Sequence, residues 1–146
     1  YGNPKCLPIK ESDNLVPISP YGSNKLLSEQ LCNYYYNYFN IPTVSLRIFS
    51  AFGPGLNKQI FWDWYNKSKK NNVTILNGSG NESRDFIYID DLVRVIYLVI
   101  KFSSFEGNCI NVANGEEIFI NEIAEFYFKC LNKEYSFSGN NYSFNR

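Results

Sequence analysis

Hydrophobic and polar positions change period several times along this chain, and each change marks an element. Residues 1–18 mix Pro4, Pro8 and Pro17 with polar residues and read as loop. From Ser19 the pattern becomes helical. Ser19 suits the N-cap, Pro20 suits the first helical position, and Leu27, Leu31, Tyr34, Tyr35 and Tyr38 form an apolar stripe running to about Phe39. After the Asn40–Pro42 break, the β-branched run Thr43–Ile48 reads as a strand. Gly53-Pro54-Gly55 is a turn, followed by a helix from Lys58 to about Lys70. Val73–Leu76 reads as a short strand, Asn77–Ser83 as loop and Phe86–Ile89 as extended chain. Asp90 and Asp91 offer acidic capping to a helix over residues 91–102, apolar nearly all round, which predicts burial and places Tyr97 in the core. Cys109–Val112 reads as a strand. Glu117–Leu131 reads as a helix with Ile120, Ile123, Ala124, Tyr127 and Leu131 on one face, and the tail after Lys133 shows no clear element. Helices alternating with strands, without repeats, predict an α/β fold.

Composition narrows the function classes. The 146 residues suffice for one domain, and an 18% aromatic content is that of a globular chain. The formal net charge of zero supplies no attraction to nucleic acid or an anionic membrane, and the apolar run around Val93–Ile100 is too short to span a bilayer. Cys6, Cys32, Cys109 and Cys130 fall at no metal-ligand spacing, so they read as free thiols in a reducing cytoplasm, packed as small core side chains. With no His, acid–base chemistry must use Tyr, Lys, Cys, Asp or Glu. With no Met, and an abrupt start at Tyr1-Gly2-Asn3-Pro4, the chain reads as a fragment of a longer protein.

Tyr21 and Lys25 are the leading candidates for chemistry. One helical turn apart, they share a face, and a nearby ammonium favours phenolate over phenol. A Tyr tuned this way can take a proton from a sugar or alcohol hydroxyl while hydride leaves the adjacent carbon. The spacing alone is weak, because Tyr65/Lys69 and Tyr97/Lys101 share it. Tyr65 sits among lysines on a solvated face, whereas Tyr21 stands at a helix start beside small residues. Gly78-Ser79-Gly80 is not a dinucleotide loop, since that fingerprint needs a helix directly after it. Arg84 could grip a diphosphate bidentately, or simply pair with Asp85 at the surface.

The order of these pieces carries more weight than any one of them. The segments YGNPKCLPIKESDNLVPISPYGSNKLLSEQL, IPTVSLRIFSAFGPG, NGSGNESRDFIYIDDLVRVI and GNCINVANGEEIFI cover most of residues 1–125. In this order and spacing the sequence resembles the extended short-chain dehydrogenase/reductase family, specifically its nucleotide-sugar epimerases and dehydratases of the UDP-glucose 4-epimerase kind. The resemblance implies the C-terminal, substrate-binding part of a Rossmann-like fold over residues 1–146, lacking the N-terminal dinucleotide-binding half. It implies NAD as cofactor and a nucleotide-diphosphate sugar as substrate.

Roles follow position by position. Tyr21 matches the Tyr that exchanges a proton with the sugar hydroxyl. Lys25 matches the Lys that meets the nicotinamide ribose, and Phe49 lies where the backbone passes the nicotinamide. Arg84 matches the Arg that binds the substrate diphosphate, with Asn111 a substrate-side residue near it. Ser50 replaces the Asn that many relatives use to contact the sugar diphosphate. Arg146 stands where a basic, nucleotide-contacting motif could begin. The implied reaction is C4 epimerisation: a sugar hydroxyl is oxidised with Tyr21 as base, and the keto sugar is reduced on its other face. The same resemblance allows a 4,6-dehydratase or decarboxylase, because the residues that separate these classes precede Tyr1. It also implies a homodimer through the helix that starts near Ser19, a cytoplasmic location and a role in surface-polysaccharide synthesis. A non-catalytic binding or dimerisation module is the remaining alternative.

Overall fold

The computed structural model describes residues 1–4 and 6–139. Its elements in order are α1 (Pro20–Phe39), β1 (Thr43–Ile48), β2 (Ser50–Phe52), α2 (Gln59–Lys70), β3 (Val73–Leu76) and β4 (Ser83–Arg84). Then come β5 (Phe86–Tyr88), α3 (Ile89–Phe102), β6 (Glu106–Val112), β7 (Ile118–Phe119), α4 (Ile120–Leu131) and β8 (Glu134–Phe137). Three parallel pairs, β1 with β6, β2 with β5 and β3 with β8, accompany one antiparallel pair, β4 with β7. This is an α/β protein. Among the described residues no helix is long and apolar enough to cross a membrane.

Local chemistry explains α1. The Ser19 hydroxyl accepts from the Gly22 N–H at 3.1 Å, and Pro20 occupies the first turn, where a missing N–H costs nothing. Asn40 ends the helix at φ 53°, its N–H returning to the Tyr36 carbonyl. The helix does not pack through the stripe that its sequence suggests. Gly22, Leu26, Glu29, Cys32 and Tyr36 form the half-buried face, at helical spacing, while Leu27, Leu31, Tyr34, Tyr35 and Tyr38 stay exposed.

Two cores result. Trp64, Leu76, Ile120, Ala124 and Phe128 join α2, β3 and α4, with Tyr135 and Phe137 of β8 packed against them. Ile87, Leu92 and Val112 join β5, α3 and β6, with Leu46 and Ala51 alongside. Gly53 lets β2 turn close against α3: at φ 156° a Cβ there would meet Ile89 Cγ2 at 2.3 Å.

Several expectations need correction. α3 begins at Ile89, so Asp90 and Asp91 lie inside its first turn, where they favour the helix dipole but do not cap it. Only Leu92 of α3 is buried among the described residues, and Tyr97, Ile100 and Phe102 are more than half exposed, so Tyr97 is not core. The helix near Glu117 starts later, at Ile120, because Ile118–Phe119 is drawn into a strand against Ser83–Arg84. There the Glu122 carboxylate accepts from the Phe119 N–H. The tail after Lys133 is a strand, β8, parallel to β3. All four cysteines are free, but Cys6 and Cys130 are exposed rather than core.

Candidate active site

Chain direction puts Tyr21 at one particular end of β1. The link between α1 and β1 spans residues 40–42, so the C-terminus of α1 lies by the start of β1 and the helix runs back along the strand. Arg47 of β1 meets Glu29 of α1 side by side. From Glu29, Tyr21 lies eight residues toward the N-terminus, about 12 Å at 1.5 Å per residue. From Arg47, Ser50 lies three residues onward, about 10 Å of extended chain. Tyr21 and Ser50 therefore stand level beyond the carboxyl end of β1, with Lys25 level with Ile48 and Phe49. Ligands of open α/β sheets bind at that end.

Tyr21 is 67% exposed, and the Lys25 Nζ lies 5.6 Å from its ring centroid. Lys25 is in no ion pair among the described residues. The corresponding pairs elsewhere have the same local geometry, with Lys69 over Tyr65 at 4.1 Å and Lys101 over Tyr97 at 6.0 Å. Position, not pairing, separates Tyr21 from them.

Phe49 and Ser50 connect the two strand systems. The Phe49 N–H donates to the Val112 carbonyl at 3.0 Å, and the Ser50 N–H donates to the Asp85 carbonyl at 3.0 Å. That second bond places Ser50 beside the Arg84-Asp85 step. Asp85 does more than sit next to Arg84. Its carboxylate accepts from the backbone N–H groups of Asn114 at 2.7 Å and Gly115 at 2.8 Å, tying the turn after β6 to the β4–β5 link. Arg84 is exposed, on a strand whose neighbour Ser83 donates to the Glu117 carboxylate at 2.6 Å. Ser50, Arg84 and the Asn114–Gly115 turn are thus one neighbourhood.

Asn111 belongs to a different one. Its Oδ1 accepts from the Tyr1 hydroxyl, its Nδ2 donates to the Ile9 carbonyl, and its backbone N–H donates to the Glu11 carboxylate. These bonds pin Tyr1, Ile9 and Glu11 to β6. The Asn111 N–H is also the chief reason why the Glu11 carboxyl sits below its ordinary range. Arg47, opposite Asn111 in register, completes this cluster. The Glu29 carboxylate raises the Arg47 guanidinium above its ordinary value despite partial burial. Sequence patterning misses this hub, although an Arg inside the apolar run TVSLRI is itself a signal that a partner is needed. Arg146 lies outside the described residues.

Among the described residues, nothing offers the diphosphate of a dinucleotide a glycine cradle. In the Gly78–Gly80 turn, the Ser79 and Gly80 N–H groups donate to the Glu82 carboxylate at 3.0 and 2.9 Å. The exposed Lys25 ammonium and Tyr21 hydroxyl carry donors of the kind that a ribose hydroxyl would accept.

The profile of the NAD dependent epimerase/dehydratase family matches residues 1–113. Among curated proteins, a putative UDP-glucose 4-epimerase of Methanocaldococcus jannaschii is 28% identical over 95% of this chain and 45% of its own length. Among solved structures, the epimerase Mth375 of Methanothermobacter thermautotrophicus superposes with a TM-score of 0.86 at 25% identity, over 96% of this chain and 44% of that one. UDP-glucuronic acid 4-epimerase of Bacillus cereus, solved with UDP-glucuronic acid and NAD, gives 0.81 at 30% identity over 90% of this chain and 43% of that one. The chain thus spans less than half the length of these relatives. It belongs to the NAD dependent epimerase/dehydratase family.

Proposed function

We propose that the chain is the substrate-binding, proton-transferring portion of a C4 epimerase acting on a nucleotide-diphosphate sugar. The observation that carries this is the level placement of Tyr21, Lys25 and Ser50 at the carboxyl end of β1, with the Arg84-Asp85 step bonded to Ser50. The hydroxyl of the exposed Tyr21, whose ring centroid lies 5.6 Å from Lys25 Nζ, exchanges a proton with the sugar hydroxyl. Lys25 places its ammonium beside Tyr21 and meets the ribose of the cofactor. Arg84 neutralises diphosphate charge, with Ser50 donating beside it. Bound NAD would supply reversible hydride acceptance; the residues of this chain supply the proton and the orientation. UDP is the favoured nucleotide because two of the named relatives carry a UDP sugar in their names, one of them solved with UDP-glucuronic acid bound. The glycine cradle for NAD would come from an N-terminal dinucleotide-binding half, so residues 1–146 alone should not turn over substrate.

The exposed stripe of α1 supports self-association as a homodimer through that helix. It is also the feature that favours the rival reading, a dimerisation module without chemistry. A direct experiment separates the two. Express the chain with the sequence upstream of Tyr1 restored, supply NAD and UDP-glucose, and measure UDP-galactose formation for the parent and for Tyr21→Phe. Turnover abolished by Tyr21→Phe supports the epimerase; a parent that binds no UDP sugar and turns none over supports the module.

A further inference from the structure

Tyr21, Lys25 and Glu29 follow one another at four-residue steps along α1, on one stripe of the helix. This arrangement contains a hazard for the proposed chemistry. A carboxylate four residues from Lys25 is its natural partner, and an ammonium engaged by a carboxylate no longer presents a free charge to Tyr21. In the structure that pairing does not occur. Lys25 leans toward Tyr21, and Glu29 is fully engaged by Arg47: Nε donates to Oε2 at 2.8 Å and Nη2 to Oε1 at 2.5 Å.

The fork is itself held from behind. Arg47 Nη1 donates to the Tyr1 hydroxyl and, at 3.1 Å, to the Glu11 carbonyl, and the guanidinium lies 4.7 Å from the Tyr1 ring centroid. The side chains of the pair are 14% and 23% exposed, so water competes weakly for either. Groups on β1 and in the N-terminal segment thus hold Glu29 on the Arg47 side of α1.

We propose that Arg47 is a positioning residue that sequesters Glu29 and so leaves the Lys25 ammonium to Tyr21. The proposal rests on the assignment of Tyr21 and Lys25 as the proton-transfer pair. A planar fork suits this task better than a lysine, because two parallel bonds occupy both carboxylate oxygens. The N-terminal segment gains a role as well: Tyr1 and Glu11 fix the orientation of the lock.

Zero-length cross-linking tests the lock without needing activity. A water-soluble carbodiimide joins carboxylates to amines in contact, and peptide mapping locates the bonds. Asp63 and Lys67, 2.8 Å apart on α2, serve as the internal positive control. In the native chain the Asp63–Lys67 link should form and a Glu29–Lys25 link should stay at background. In Arg47→Met the Glu29–Lys25 link should rise to the level of the control, and in Arg47→Lys it should remain low. A Glu29–Lys25 link as strong as the control in the native chain overturns the proposal, even if Arg47→Met fails to fold. So does a folded Arg47→Met or Arg47→Gln chain with no gain in the link.

A kinetic arm separates this from the underlying assignment. With the upstream sequence restored, Arg47→Met should lower kcat while KM holds, and Arg47→Met with Glu29→Gln should recover most of the loss, because no carboxylate then reaches Lys25. A merely structural Arg47 would give no recovery, which overturns the positioning role. If the cross-link appears in Arg47→Met while kcat is unchanged, the assignment of Tyr21 and Lys25 falls, and the catalytic meaning of the lock falls with it.

Discussion

Asp85 holds Gly115 in place, its carboxylate accepting from the Gly115 N–H at 2.8 Å and from the adjacent Asn114 N–H at 2.7 Å. Through its carbonyl the same residue receives the Ser50 N–H. One side chain therefore fixes the turn after β6 beside the strand that carries Arg84. Asp85→Ala should cost about 1–2 kcal/mol in urea unfolding, since the freed N–H groups lie in an exposed turn and regain water. It should also weaken UDP binding several-fold in calorimetry, in the same direction as Arg84→Ala. Weakened stability with unchanged UDP affinity would detach the turn from the binding site.

Tyr21 is exposed enough for its role to be separated cleanly from folding. Tyr21→Phe removes one hydroxyl from a residue that supports neither core, so the unfolding free energy in urea should hold within about 0.5 kcal/mol. In the polypeptide with upstream sequence restored, kcat should fall by about two to four orders of magnitude, the usual worth of a positioned acid–base group. Stopped assays of sugar interconversion, paired with the melts, read both outcomes.

Glu82 makes one loop sensitive to acid. Burial pushes its carboxyl up, but hydrogen bonds from the Ser79 and Gly80 N–H groups and from the Ser79 hydroxyl outweigh that, and the net shift is below the ordinary glutamate value of 4.5. A carboxyl depressed on folding stabilises above its unfolded value, and that contribution is lost as pH falls through the folded value. Melting temperatures of the native chain and Glu82→Gln should differ most near neutrality and converge below pH 4.5. A gap that persists unchanged into acid would mean that the amide replaces the carboxylate's bonds.

How far the sequence reveals this molecule depends on the range of the signal. Ser19, Pro20 and Asn40 delimit α1 because caps act within one turn, and the strand Thr43–Ile48 is legible because β-branched residues favour it locally. The two-residue strands β4 and β7 are too short to show a period, and β8 exists only because β3 pairs with it across the chain. The apolar surround of α3 reports how much surface wants burial, not what buries it, so Tyr97 reads as core and stands exposed. Tyr21, Lys25, Ser50 and Arg84 emerge from motif order. Asp85, Arg47 and Glu29 do not, because their partners lie 18 or more residues away and are chosen by the fold.

Thr74 is a misfit beside the core of Trp64, Leu76 and Phe128, and its correction should stabilise the chain. The alternation of β3 turns Thr74 and Leu76 inward, both with no exposed surface, and the Thr74 hydroxyl oxygen has no hydrogen-bond partner among the described residues. Valine has the same shape without the polar atom. Thr74→Val should raise stability by about 1–2 kcal/mol, the desolvation cost of one unsatisfied hydroxyl. Urea denaturation with an unchanged m value checks this, and a destabilised variant would reveal an unrecognised partner for the hydroxyl.

The exposed stripe of α1 supplies the last prediction. Leu27 at 61%, Leu31 at 55% and Tyr38 at 71% exposure lie on one side of a helix whose other side already packs on β1 and β6. Tyr34 and Tyr38 lie against each other with ring centroids 4.5 Å apart and planes tilted by 30°, an aromatic patch on that exposed side. An apolar surface of this kind on a helix free along its length favours pairing with a second copy, in which the same stripe meets itself. The native chain should therefore sediment as a dimer at micromolar concentration. Leu31→Glu, which puts like charges face to face at the centre of the pair, should yield monomers. Because Leu31 touches neither core, the monomer's circular dichroism should match that of the native chain. If native chain and variant sediment alike as monomers, the stripe is not a self-association surface, and the homodimer is removed from the proposed function.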